Sequence, residues 1–89
     1  MRLDVLLFEL RLFKSRSQAS DAIQAGRVLL GGERTKPSRE ARVGDRLTLL
    51  RADAAAGVTR ARTLEILGLP HASLSKQAAR ELVREVPES

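Results

Sequence analysis

The hydrophobic pattern changes its period once, at Gly26, and that switch limits what 89 residues can build. Before it, Leu3, Leu6, Leu7, Leu10 and Phe13 recur at helical steps and form one apolar stripe, with Arg2, Asp4, Glu9 and Arg11 off it. A second helix has a start signal in Ser15-Arg16-Ser17-Gln18, where Ser15 and Gln18 can satisfy each other's orphan backbone N–H groups. Ala19, Ala22 and Ile23 give that helix a narrow apolar face, and Gly26 stands where a stop is expected. After Gly26 the chain turns β-compatible. Arg27-Val28-Leu29-Leu30 is short and apolar, and Gly31-Gly32 signals a hairpin. Arg34-Thr35-Lys36 is expected to return antiparallel until Pro37, which has no N–H to donate. Val43-Gly44-Asp45 reads as a turn, and residues 46–50 alternate, with Leu47 and Leu49 on one face.

The second half is less regular. Residues 51–57 read as a loop around Asp53-Ala54-Ala55-Ala56-Gly57. In 58–67, Val58, Leu64 and Ile66 share a parity that favours a strand, but Arg60 and Arg62 share it too. Leu74, Ala78, Ala79, Leu82, Val83 and Val86 form a helical stripe after Ser73 or Ser75 as cap, and Pro87 closes it. The expected architecture is α+β. Two N-terminal helices pack on a small antiparallel sheet, and a C-terminal helix packs back on the core, all in a single domain over 1–89.

Composition removes most enzyme classes. There is no cysteine, so neither disulfides nor thiolate metal sites are available. The single histidine, His71, stands beside Pro70 and supports neither a metal cluster nor a catalytic triad. Ser15 and Ser17 have no base nearby in sequence, and no Gly-rich nucleotide loop is present. No apolar run approaches the roughly 20 residues of a membrane span. Asp4 and Glu9 interrupt what would be a signal peptide. A cytoplasmic, non-catalytic protein without cofactor is expected.

Charge points to the ligand. Sixteen Lys+Arg stand against 11 Asp+Glu, and all but Lys14, Lys36 and Lys76 are arginine, the residue that forks onto phosphate and stacks on bases. Residues 1–50 hold ten basic and six acidic side chains, and 51–89 hold six and five, so a polyanion is expected on the first half. Lys14 and Arg16 flank the start of the second helix, where N–H groups and the helix dipole already attract phosphate. Arg27 follows that helix, and Arg34 and Lys36 lie across the Gly31-Gly32 turn. Taken alone, each of these charges also reads as a solvated loop residue.

In order, Arg2-Leu3-Asp4-x-x-Leu7, Phe13-Lys14-Ser15-Arg16, Ala19, Gly26-Arg27-Val28, the Gly-Gly turn and Val43-Gly44-Asp45 resemble the S4 RNA-binding domain, or αL RNA-binding motif. The match covers residues 2–50. Family members usually carry Asn where this chain has Gly31. Residues 32–38 look like a bacterial ribosome-associated heat-shock branch, whereas the length and the lack of a basic tail look like a short ribosome quality-control branch. The resemblance implies binding of structured ribosomal RNA of the large subunit, and of peptidyl-tRNA with it, in rescue of stalled nascent chains; a monomer is expected. It implies an RNA face built from Arg2, Lys14, Ser15, Arg16, Gln18, Arg27, Arg34 and Lys36. With two phenylalanines and no Tyr or Trp, recognition should rest on backbone charge and RNA shape.

Three other readings compete. The paired helices could belong to a DNA-binding helix-turn-helix, but Asp21 on the second helix would then face phosphates. The chain could be the accessory RNA-binding domain of an RNA-modifying enzyme. It begins at its own Met1 and holds no second domain, which ranks this below a stand-alone protein. A protein–protein adaptor using the last helix requires Leu74, Leu82 and Val83 to be exposed.

Overall fold

The computed structural model describes residues 1–53, 57–70 and 76–87. Helix α1 spans Leu3–Glu9 and α2 spans Arg16–Gln24. The expected stripes are the buried faces: Leu3, Leu6 and Leu7 of α1, and Ala19, Ala22 and Ile23 of α2. Phe13 does not extend the first stripe, because α1 ends four residues before it; it is half-buried and packs on the core from the connecting segment.

Helices of seven and nine residues fall below the roughly 12–15 at which an isolated helix becomes stable, so their ends have to be closed by the rest of the chain. Arg2, the N-cap of α1, makes no side-chain cap. Instead the Leu3 N–H donates to the Arg39 carbonyl at 2.8 Å and the Asp4 N–H to the Pro37 carbonyl at 3.2 Å. The two C-terminal ends share one geometry. At α1, Arg11 N–H reaches the Phe8 carbonyl and Leu12 N–H the Leu7 carbonyl, both at 3.0 Å. At α2, Gly26 N–H reaches Ile23 at 3.1 Å and Arg27 N–H reaches Ala22 at 2.9 Å. Both are Schellman caps. The left-handed residue is Gly26 in one, with φ of 77°, and Arg11 in the other, with φ of 60°.

The remaining elements are β1 (Val28–Leu30), β2 (Glu33–Arg34), β3 (Arg46–Asp53), β4 (Val58–Ile66), the short helix α3 (Lys76–Arg80) and β5 (Val83–Val86). The five strands form one antiparallel sheet in the order β2-β1-β3-β4-β5. Gly31 and Gly32, both left-handed, make the two-residue turn that joins Leu30 to Glu33. Strand β2 stops at Arg34 rather than Lys36, because the chain leaves the sheet there to supply the carbonyls that cap α1. Val28, Leu47 and Ile66 close one sheet face on Leu3, Leu6, Leu7 and Ile23 to form the core. The other face carries polar cross-strand pairs, such as Thr48 with Thr63 at 3.3 Å.

Two expectations for the second half need correction. The loop expected over 51–57 is shorter, since β3 continues to Asp53 and β4 starts at Val58. The conflicting parity of β4 resolves along its length. Leu64 and Ile66 are buried, whereas Arg60, Ala61 and Arg62 are all exposed, because the β3–β4 ribbon outruns the helices that cover the sheet. Among the described residues the C-terminal helix is Lys76–Arg80, and Val83–Val86 is not helical but pairs with β4. Without β5, β4 would present an open edge next to buried Leu64 and Ile66. β-Branched Val83 and Val86 suit that edge, and Arg84 faces Glu65 across it in an ion pair of 3.0 Å. Leu74, Ser73, Ser75 and His71 lie outside the described residues. Leu82 and Val83 are half-buried against the core, which leaves little for an adaptor surface. Among the described residues, no helix is long and apolar enough to cross a membrane.

The paired strand makes a prediction that a helix does not. Arg84→Glu sets two carboxylates opposite each other and should lower stability by about 0.5–1 kcal/mol, a few degrees of melting temperature. The swap Glu65→Arg/Arg84→Glu should recover most of that loss in thermal melts. No recovery would show that the two positions are not neighbours.

Candidate nucleic-acid interface

Helix α2 is the spine of the candidate site. Its nine residues rise about 14 Å. Lys14, Ser15, Arg16 and Gln18 sit at its start, with Lys14, Arg16 and Gln18 exposed. The Ser15 half of the expected capping box is present, since Ser15 Oγ accepts the Gln18 N–H at 3.1 Å. Among the described residues, the N–H groups of Arg16 and Ser17 have no protein acceptor. Two backbone donors and two cationic side chains therefore converge on one helix end, which suits a phosphate oxygen.

Arg27 and Arg34 are brought to the other end. Arg34 Nη2 donates to the Gln24 carbonyl at 3.0 Å, so this guanidinium closes an orphan carbonyl and complements the helix dipole while remaining exposed. It lies flat against Gly26. A Cβ there would stand 3.0 Å from Arg34 Nε, so the glycine is needed both for its positive φ and for this close approach. Arg27 is exposed beside it, its N–H spent on the Schellman bond.

Arg2 and Lys36 form a third group, at the start of α1. Lys36 accepts the Arg39 N–H through its carbonyl at 3.0 Å, and the turn so formed is the one that caps α1. Arg2 forks onto Asp4, with Nε to Oδ1 at 3.2 Å and Nη2 to Oδ2 at 3.1 Å. Asp4 is buried, and its carboxylate also accepts the Val5 N–H at 2.8 Å, so the acid in the sequence motif serves to aim Arg2 outward. Since the first N–H groups of α1 are already taken, this end offers side-chain charge only.

Arg39, also exposed, is not among the residues expected for the RNA face, since the antiparallel return was expected to end at Pro37. No periodicity marks it; only the need for carbonyls at the start of α1 does. The N-terminal ammonium of Met1 bonds Glu40 at 2.6 Å, and that hydrogen bond and charge hold the Glu40 carboxyl below its ordinary range.

Residues 1–47 match the family model of the S4 domain, more than half of the chain. The chain belongs to the S4 domain family. It is accordingly an RNA-binding protein of α+β fold. The solved trimeric structure of heat shock protein 15 from Vibrio cholerae matches with a TM-score of 0.83 and 30% identity, over 97% of this chain and 81% of that one. The likeness extends past residue 47 to the β4–β5 half. No curated protein matches the sequence.

Gly26→Ala should cost about 1–2 kcal/mol from the left-handed backbone alone, and more where the new Cβ pushes Arg34 from Gln24. Adding Arg34→Ala should remove the second part and leave the first. Urea unfolding of the three variants checks this; strict additivity would mean that Arg34 does not lie on Gly26.

Proposed function

We propose that this protein grips structured ribosomal RNA of the large subunit, and the peptidyl-tRNA beside it, in rescue or quality control of stalled nascent chains. The observation that carries the RNA-gripping part is the end of α2, where Lys14 and Arg16 flank two unoccupied backbone donors. Arg27 and Arg34 extend the cationic line along α2, and Arg2, Lys36 and Arg39 add a third cluster. The ribosomal part rests on the likeness to heat shock protein 15 and on the family resemblance of residues 32–38. In this reading the protein acts in the cytoplasm, without catalysis. Asp21, exposed midway along α2, argues against that helix lying in a DNA major groove. The reading keeps a monomer in solution, and light scattering at working concentration checks it against the trimer described for the Vibrio cholerae protein.

Binding of structured RNA should weaken steeply with salt. Four to six phosphate contacts imply a log–log slope of about −3 to −5. A slope near zero contradicts an electrostatic face. Lys14→Ala/Arg16→Ala should lose roughly tenfold or more in affinity at fixed salt, since it removes direct charge-assisted bonds. Arg51→Ala/Arg60→Ala removes the same charge from the far end of the β3–β4 ribbon and should lose only a few-fold, by long-range attraction. Equal losses would place the RNA elsewhere.

A further inference from the structure

Between the end of α1 and the β4–β5 side of the sheet lies an open groove of about 560 Å³. Its floor is apolar, made by Leu10, Leu12, Leu64, Ala79 and Val83. Its rim carries Arg11, Arg62 and Arg80 against one carboxylate, Glu85, which accepts from Arg62 Nε at 2.7 Å. Among the described residues, three cations and one anion leave the rim with a charge of +2. We propose that this groove holds one unstacked nucleotide of a single-stranded RNA segment, its base on the aliphatic floor and its phosphate on the arginine rim. The proposal rests on the RNA-binding reading above and adds a second contact with a different form of RNA.

Three observations favour this occupant. First, the chain has no Tyr or Trp, Phe13 is committed to the core and Phe8 does not line the groove, so a base held there meets aliphatic side chains and guanidinium planes. The groove is a place where both meet. Second, Arg11 holds the left-handed position of a Schellman cap that α2 fills with Gly26. A glycine would relieve that backbone, so keeping a side chain there points to what the side chain does on the rim. Third, the connecting segment is shared. Leu10, Arg11 and Leu12 line the groove, and Lys14 and Ser15 head α2, so the groove and the phosphate site lie at the two ends of one short segment. An acidic protein segment would also be drawn to the charge, but it has no comparable link to the RNA site.

The test uses the full chain with methyl-resolved NMR and two probes, a single-stranded RNA hexamer and a blunt RNA duplex. The hexamer should shift the methyl groups of Leu12, Leu64, Ala79 and Val83, and the duplex should not. Arg11→Gly/Arg80→Ala should weaken the hexamer about tenfold, or roughly 1.4 kcal/mol, and the duplex less than about twofold. Should that double variant fail to fold, Arg80→Ala, at an exposed position, makes the same comparison. Unmoved methyls, or equal weakening of hexamer and duplex, overturns the groove assignment. So does a groove that responds to an acidic, leucine-ended hexapeptide and not to RNA. If the duplex binds while the hexamer leaves the methyls unmoved, only the groove proposal falls. If the parent protein binds neither RNA, the RNA-binding reading falls with it.

Discussion

Everything in this fold depends on how the ends of two very short helices are closed. Neither α1 nor α2 has enough turns to persist alone. Their orphan N–H and C=O groups are met by carbonyls of Pro37 and Arg39, by Ser15 Oγ, by two Schellman caps and by the Arg34 guanidinium. The cap at the start of α1 joins pieces far apart in sequence. The segment that follows the β1–β2 hairpin is also the segment that holds down the start of α1, which ties the sheet to the helices through backbone hydrogen bonds. Burial of Leu3, Leu6, Leu7 and Ile23 against Val28, Leu47 and Ile66 then fixes the arrangement.

In the proposed reading the same caps also hold the RNA face. Arg2, Arg11, Arg27, Arg34 and Arg39 each stand within a cap, and Lys14 and Arg16 flank one. The backbone groups at these places are held rigidly, so the side chains attached to them start from fixed positions. An arginine-rich surface that would otherwise cost much rotamer entropy on binding is in part ordered beforehand. Asp4 illustrates this: buried and bonded by the Arg2 fork, it holds a cation in place at the mouth of α1.

Much of this was legible in the sequence where local chemistry decides it. The leucine stripe, the Ser15 cap, the Gly26 stop and the Gly31-Gly32 turn need only near neighbours, and each stands where it was expected. Long-range pairing was not legible. Val83 and Val86 fit a helical stripe as well as a strand, and only the open edge of β4 selects the strand. Arg60 and Arg62 blurred β4 because parity assumes a face buried along its whole length. Arg34 was expected as a ligand for phosphate, and what the structure shows of it is a bond to the Gln24 carbonyl as a helix cap. Arg39 and Arg11 were not among the expected RNA-face residues, because their placement follows from caps, which leave no period in the sequence.

The account's central claim is that RNA phosphate docks on the start of α2. Titration of the uniformly ¹⁵N-labelled protein with structured RNA at moderate salt tests it most directly. The largest amide shifts should fall on Arg16, Ser17 and Gln18, with smaller ones at Arg27 and Arg34. Shifts concentrated on Arg46 and Arg84, or on Arg51 and Arg60, with the α2 amides unmoved, would contradict it.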